Sequence, residues 1–170
     1  MGGVGLSVPS KAGGKLILRT AIFMIFLMVW VINDLRVLAS NHMSPMISPE
    51  AVVHIQLQAL QNNDVPQPNA GIQKVWAFAH PDNKRLTGPL NRFIAMIKGP
   101  RYSMLLNHRH HEIQLLERSA SIAVFAVRVT SEDGLVYLYQ WQLAPVIGGE
   151  KDGAWLTIGV STPIPVGNEI

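Results

Sequence analysis

Three histidines stand close together at His108, His110 and His111. In an extended chain, residues two apart share a face, so His108 and His110 could clamp a metal ion. A metal site needs three or four protein donors. Only Glu112 follows on that face, and no third ligand has a diagnostic spacing. The group falls where a strand should begin. It therefore reads as a solvated or hydrogen-bonding cluster, and no metal is predicted. His54 and His80 stand alone and read as surface or cap histidines.

Proton abstraction beside a carbonyl would need a different set: an Asp or Glu base facing a phenol or a protonated acid in a dry pocket. Tyr137 and Tyr139 could supply phenols. The predicted strand interiors supply no acid. Glu112 and Glu117 fall near the ends of one strand, Asp133 in a turn, and Asp64 and Asp82 after helices. No catalytic residue is assigned. The chain has no cysteine, which excludes disulfides, thiolate chemistry and Cys-ligated zinc. It has no H-E-x-x-H, no G-x-S-x-G and no phosphate loop, and its early "GGVG" precedes no strand–helix pair. No cofactor is implied.

Two sets of residues keep two readings each. Trp76, Phe93, Tyr137, Tyr139 and Trp141 could line an aromatic pocket for a small apolar ligand, or could be ordinary core. Lys84, Arg85 and Arg92 could meet an anion near a helix start, or could decorate a helix–helix connection.

The elements that would position these residues follow from period and caps. Ser48-Pro49-Glu50 opens a helix through Asn63, with Val52, Ile55, Ala59 and Leu60 on one face. Asn69 caps a second helix that carries Ile72, Val75, Trp76 and Ala79, and Pro81 ends it. "PDNKRL" reads as a polar turn. Thr87 then caps a third helix with Leu90, Phe93, Ile94 and Ile97 at helical spacing, closed by Gly99 and Pro100. After residue 107 the period becomes two. Strands are predicted at 108–117, 121–130, 135–144 and 154–160, joined by turns at 118–120 and 132–134 and a longer loop at 145–153.

Three helices followed by a four-stranded antiparallel meander is an α+β order. The helices must cover one sheet face. Phe125, Val127 and Val129 alternate with Ile122, Val124 and Ala126, and Tyr137, Tyr139 and Trp141 alternate with Val136 and Leu138. Both faces of the central strands thus read as apolar, and a second cover is expected: a second copy of the sheet, or a membrane-protein partner.

The chain of 170 residues is 48% hydrophobic and 15% charged, enough to bury a core. Its net charge of +3 is uneven. Residues 1–43 hold four basic residues and one acid, whereas residues 44–170 hold ten of each. The neutral domain has no electrostatic footprint for DNA or RNA, so nucleic acid is discarded. Residues 1–19 are a basic lead-in. Residues 20–38 hold the uncharged run "TAIFMIFLMVWVI" and are long enough, at roughly 20 residues, for a membrane anchor. The strictly apolar part, with "VLA" after it, also suits a cleaved signal peptide. The basic flank precedes the run, so the N-terminus is expected in the cytoplasm and the domain in the periplasm or a thylakoid-type lumen, or secreted after cleavage. The start lacks the Ser or Thr of a myristoylation signal, because Leu6 stands there. Residues 39–47 form a linker, 48–162 the domain and 163–170 a tail.

The stretch "VWAFAHPDNKRLTGPLNRFIAMIKGPRY", with "IQLQALQNND" before it and "YQWQL…GAWLTIGV" after it, resembles an uncharacterised bacterial and plastid-lineage family, domain of unknown function 4864. The resemblance covers about residues 49–160. It implies a cone similar in element order to nuclear transport factor two-like and ketosteroid-isomerase-like proteins, in which a curved sheet wraps helices and often leaves a pocket. Many members carry Cys before the last-strand Trp; here Ala154 precedes Trp155, so no role of that thiol carries over. Such cones host both enzymes and binding modules. The expected function is a membrane-anchored, extracytoplasmic binding or assembly module that works through the second sheet face or a small apolar pocket. A small isomerase or hydratase is the alternative, and a lipid or pigment carrier a third.

Overall fold

The structure is a computed structural model that describes residues 1–3 and 46–168. The chain divides into two compact units, Met1–Pro45 and Met46–Ile170, and the second holds all the described secondary structure. The basic lead-in, the helix expected over 20–38 and most of the linker lie outside the described residues. Among the described residues no helix is long and apolar enough to cross a membrane.

The domain opens with α1 (Pro49–Gln61), where Ser48 Oγ accepts the Ala51 N–H at 3.2 Å and Pro49 and Glu50 occupy the first turn. Three short helices follow: α2 (Ala70–Ala77), α3 (Pro81–Thr87) and α4 (Leu90–Ile97). A 3-10 turn at Ser103–Leu105 leads into β1 (His110–Arg118), β2 (Ala123–Thr130), β3 (Leu135–Pro145), β4 (Trp155–Val160) and β5 (Ile164–Asn168). The strands form one antiparallel sheet in the order β1-β2-β3-β4, and β5 pairs with the first half of β3. The class is α+β.

Among the described residues, four helices and five strands replace the three and four expected for the domain. "PDNKRL" is α3 rather than a turn. It has no apolar stripe, and none of its residues is buried. Its caps hold it instead. His80 Nδ1 accepts the Asp82 N–H at 3.2 Å, Pro81 presets the first turn, and Arg85 pairs with Asp82 one turn back at 2.7 Å. Thr87 closes α3, donating its hydroxyl to Asn83 O, and Pro89 occupies the cap position of α4. Gly88 joins the two helices at φ +83°, a conformation that favours glycine. The predicted tail supplies β5. Pro165 within it and Pro163 before it hid it, since proline donates no ladder hydrogen bond, but an edge strand tolerates one.

The sheet face turned to the helices carries Ala123, Phe125, Val127 and Val129 of β2, opposite Leu143, Trp141, Tyr139 and Tyr137 of β3. All but Tyr137 are buried. They pack against Val52, Val53, Leu57 and Leu60 of α1, Ile72 and Val75 of α2, and Phe93 and Ile97 of α4. Each such large apolar side chain contributes about 1.5–3 kcal/mol by leaving water. The buried face of α1 is rotated from the expected one: Val53, Gln56 and Leu57 are buried, while Ile55 and Ala59 are half-buried. Gly71 lets the start of α2 meet the end of α1, where a Cβ would lie 2.1 Å from Ala59 O.

The outer face is mixed rather than apolar. Val124 and Val136 are buried, but the neighbours in register include Gln142, Gln140, Arg128, Glu112 and Gln114. The alternation expected for β2 and β3 agrees with their register. The cross-strand partners, which only register reveals, break up the apolar surface.

Candidate functional site

A cavity of about 230 Å³ lies between the helices and the β3–β4 edge of the sheet. It exceeds the ~150 Å³ that accommodates benzene in an apolar core and falls below the ~300–1,000 Å³ of drug-sized sites. Leu60, Val75, Phe93 and Ile97 are among its apolar walls.

A polar cluster sits in one wall. Gln56 is fully buried in α1. Its Oε1 accepts the Trp141 indole N–H at 2.9 Å and the Thr157 hydroxyl at 2.7 Å. Its Nε2 donates to Val75 O at 3.3 Å. One side chain thereby ties α1 to α2, β3 and β4. The indole can only donate, so the oxygen of the amide must face Trp141. Thr157 is the junction of β4 with the helices. Its backbone carbonyl accepts from His80 N and Asn83 Nδ2, and its N–H donates to Phe78 O. Tyr102 donates its hydroxyl to Val160 O at 3.2 Å.

Helix α3 roofs the cavity, to which it supplies Asn83, Leu86 and Thr87. Leu86 is itself 78% exposed. Lys84 reaches back over the Trp76 ring at 5.3 Å, and partial burial, with Lys151 nearby, depresses its pKa.

Of the eight candidate binding residues, Phe93 and Trp141 line the cavity, and Lys84 does not. Trp76 stacks behind the wall, its ring centroid 5.0 Å from that of Phe93. Tyr139 is buried in the core, and its hydroxyl has no hydrogen-bond partner. Burial first, then the Tyr137 and Tyr102 phenols, push its pKa up. Tyr137 is half-buried beside it in the same face. Arg85 and Arg92 are exposed and do not line the cavity. Arg85 is held by Asp82, and Arg92 folds over Gly88. Every described Asp and Glu is exposed. Gln56, Thr157, Asn83 and Tyr102 were not anticipated. Gln56 could have been found: it is the polar residue on a helical stripe of Val52, Val53, Leu57 and Leu60.

The histidine cluster is arranged differently from the expected clamp. Asn107 takes a left-handed turn at φ 53°, so His108 precedes β1 instead of sharing a face with His110. His108 is buried and donates from Nδ1 to Leu105 O at 2.7 Å. Its Nε2 must then accept, at 2.8 Å, the Nδ1–H of His111. His54 stands on the other side of His111, with 6.3 Å between ring centroids. Burial first, then the neighbouring His108, His54 and His110, bring the pKa of His111 down to about 4. Burial also lowers that of His108, against the opposing effect of the Leu105 hydrogen bond. His110 points to the outer face, 3.7 Å from Glu112. Among the described residues no three His, Asp or Glu side chains are placed to hold a metal ion.

A family model described as domain of unknown function (DUF4864) matches residues 46–163. No curated protein matches the chain, and neither does any solved structure.

Proposed function

We propose a binding role for this chain, which belongs to the family described as domain of unknown function (DUF4864). The domain holds a small, largely apolar ligand in the cavity between its helices and sheet, and it works outside the cytoplasm, tethered by residues 20–38 or released after their removal. The observation that carries the reading is the cavity, lined largely by apolar side chains around a hydrogen-bonded Gln56–Trp141–Thr157 cluster. Helices laid on a sheet with such a cavity suit a nuclear transport factor two-like cone. The hydropathy of residues 20–38 and the basic flank before them support the location.

The small-enzyme alternative has one feature in its favour, the buried and unpartnered Tyr139 hydroxyl. Against it, every described carboxylate is exposed, so no base is held in a dry site beside that phenol. Assembly with a second copy through the outer sheet face draws support from Leu116 and Ile164, exposed beside Leu138.

Benzene uptake tests the binding role. The purified full chain is expected to melt at higher temperature in benzene-saturated buffer, because a ligand that binds only the folded state raises Tm. Ala79→Leu, which places a larger side chain in the cavity wall, is expected to abolish the shift. No shift in the unaltered protein would remove the binding reading.

A further inference from the structure

We infer that the ligand of this cavity is a compact neutral molecule with an apolar body and one hydrogen-bond-accepting oxygen, and that Gln56 Nε2 is the group that receives this oxygen. The inference rests on the cavity's being a binding site, as proposed above.

Neutrality follows from the walls. The cavity is lined by no Lys, Arg, His, Asp or Glu. An ion placed there would lose its hydration with no counter-charge in return. Lys84, on the helix that supplies Asn83 and Leu86, is turned onto the Trp76 ring.

The acceptor follows from counting hydrogen bonds. Gln56 Oε1 already takes two donors, from Trp141 and Thr157. That fixes which end of the amide is nitrogen. Nε2 carries two hydrogens, and Val75 O takes one. The second has no partner among the described residues. The Trp141 indole and the Tyr102 hydroxyl each donate to protein already. Gln56 therefore supplies the unfilled donor of the Gln56–Trp141–Thr157 cluster, on a fully buried side chain that lines the cavity. Asn83 Nδ2, half-buried on α3, also keeps a second hydrogen, and the Gln56 amide signals tell the two apart. A ketone, ether or hydroxyl oxygen completes it. The Thr157 hydroxyl gives its hydrogen to Gln56 and keeps lone pairs, so a ligand hydroxyl could also donate there. Size sets the remaining limit: a single ring or a short branched chain fits, and a sterol or long acyl chain does not.

Cyclohexanone and methylenecyclohexane separate the possibilities, because they share a shape and differ in one oxygen. Both are titrated into the ¹⁵N-labelled full chain, with the free concentration measured, while the Gln56 side-chain amide signals are followed. Cyclohexanone is expected to bind about 3- to 10-fold more tightly, the worth of one net hydrogen bond. It should shift one Gln56 Nε2–H signal downfield, and methylenecyclohexane should not. Cyclohexanecarboxylate should not bind. Equal affinities with an unmoved Gln56 amide would overturn the assigned oxygen while leaving the cavity a binding site. Tighter binding of the carboxylate would overturn neutrality. If neither ring bound, the binding role itself would fall with the inference. Gln56→Met supplies a second arm that does not depend on signal assignment. If it remains folded, the preference for the ketone disappears; if it keeps the preference, the inference is wrong.

Discussion

Two buried polar groupings lie within this one small domain, and they answer different demands. Gln56, Trp141 and Thr157 form a cluster that cannot ionise. His108 and His111 form a pair that can, and both have pKa values pulled down by burial. The first faces a cavity and ties four elements together. The second fastens the turn before β1 to its own strand. An amide at the cavity wall gives the site a hydrogen-bond pattern that stays constant across pH. A histidine pair makes its corner of the fold depend on pH. Under the proposed binding role, placing the histidines away from the cavity keeps recognition there independent of their protonation.

The comparison can be broken most severely at Gln56. Gln56→Leu leaves the Trp141 indole and the Thr157 hydroxyl buried without partners, at a cost of about 2–5 kcal/mol. Urea denaturation should show the loss as a lower midpoint with an unchanged slope. The deficit should be the same at pH 5 and pH 8, since nothing in the cluster titrates.

The histidine pair should show the opposite behaviour. Below its ordinary value of about 6.5 the unfolded chain takes up protons, whereas folded His111 resists until about 4. The unfolded state therefore binds more protons in this window, and stability falls as pH drops from about 6.5 toward 4. His111 is half-buried, so the loss from this site is discounted to about 1–2 kcal/mol. His111→Asn should flatten that part of the stability–pH curve. An unchanged slope in the variant would show that the pair does not control it.

The smallest effect belongs to Arg85, whose ion pair with Asp82 is 76% exposed on the Arg side. Arg85→Ala should change stability by less than about 0.5 kcal/mol and leave benzene uptake unaltered. A marked loss of uptake would restore Arg85 to the site.

Much of the framework was legible because burial and period agree there. β2 and β3 alternate cleanly, and their inward residues Phe125, Val127, Tyr139 and Trp141 are core. α3 was not legible, because capping and a local ion pair sustain it without an apolar face. β5 was hidden by Pro163 and Pro165. His108 was misplaced because a single left-handed residue, Asn107, shifts the phase of everything just after it. For the site, aromatic residue types pointed to Phe93 and Trp141 but equally to the core residue Tyr139. Gln56 and Thr157 lie 101 positions apart, so only the folded chain reveals their hydrogen bond.

The Trp141 indole N–H signal tests the central claim most directly, since this group is both buried and bonded at the cavity wall. Benzene titrated into the ¹⁵N-labelled full chain should move that signal along a saturable curve, while the Trp155 indole signal stays in place. A Trp141 signal that does not respond, or that moves only in proportion to benzene added, would contradict the account of a ligand-binding cavity.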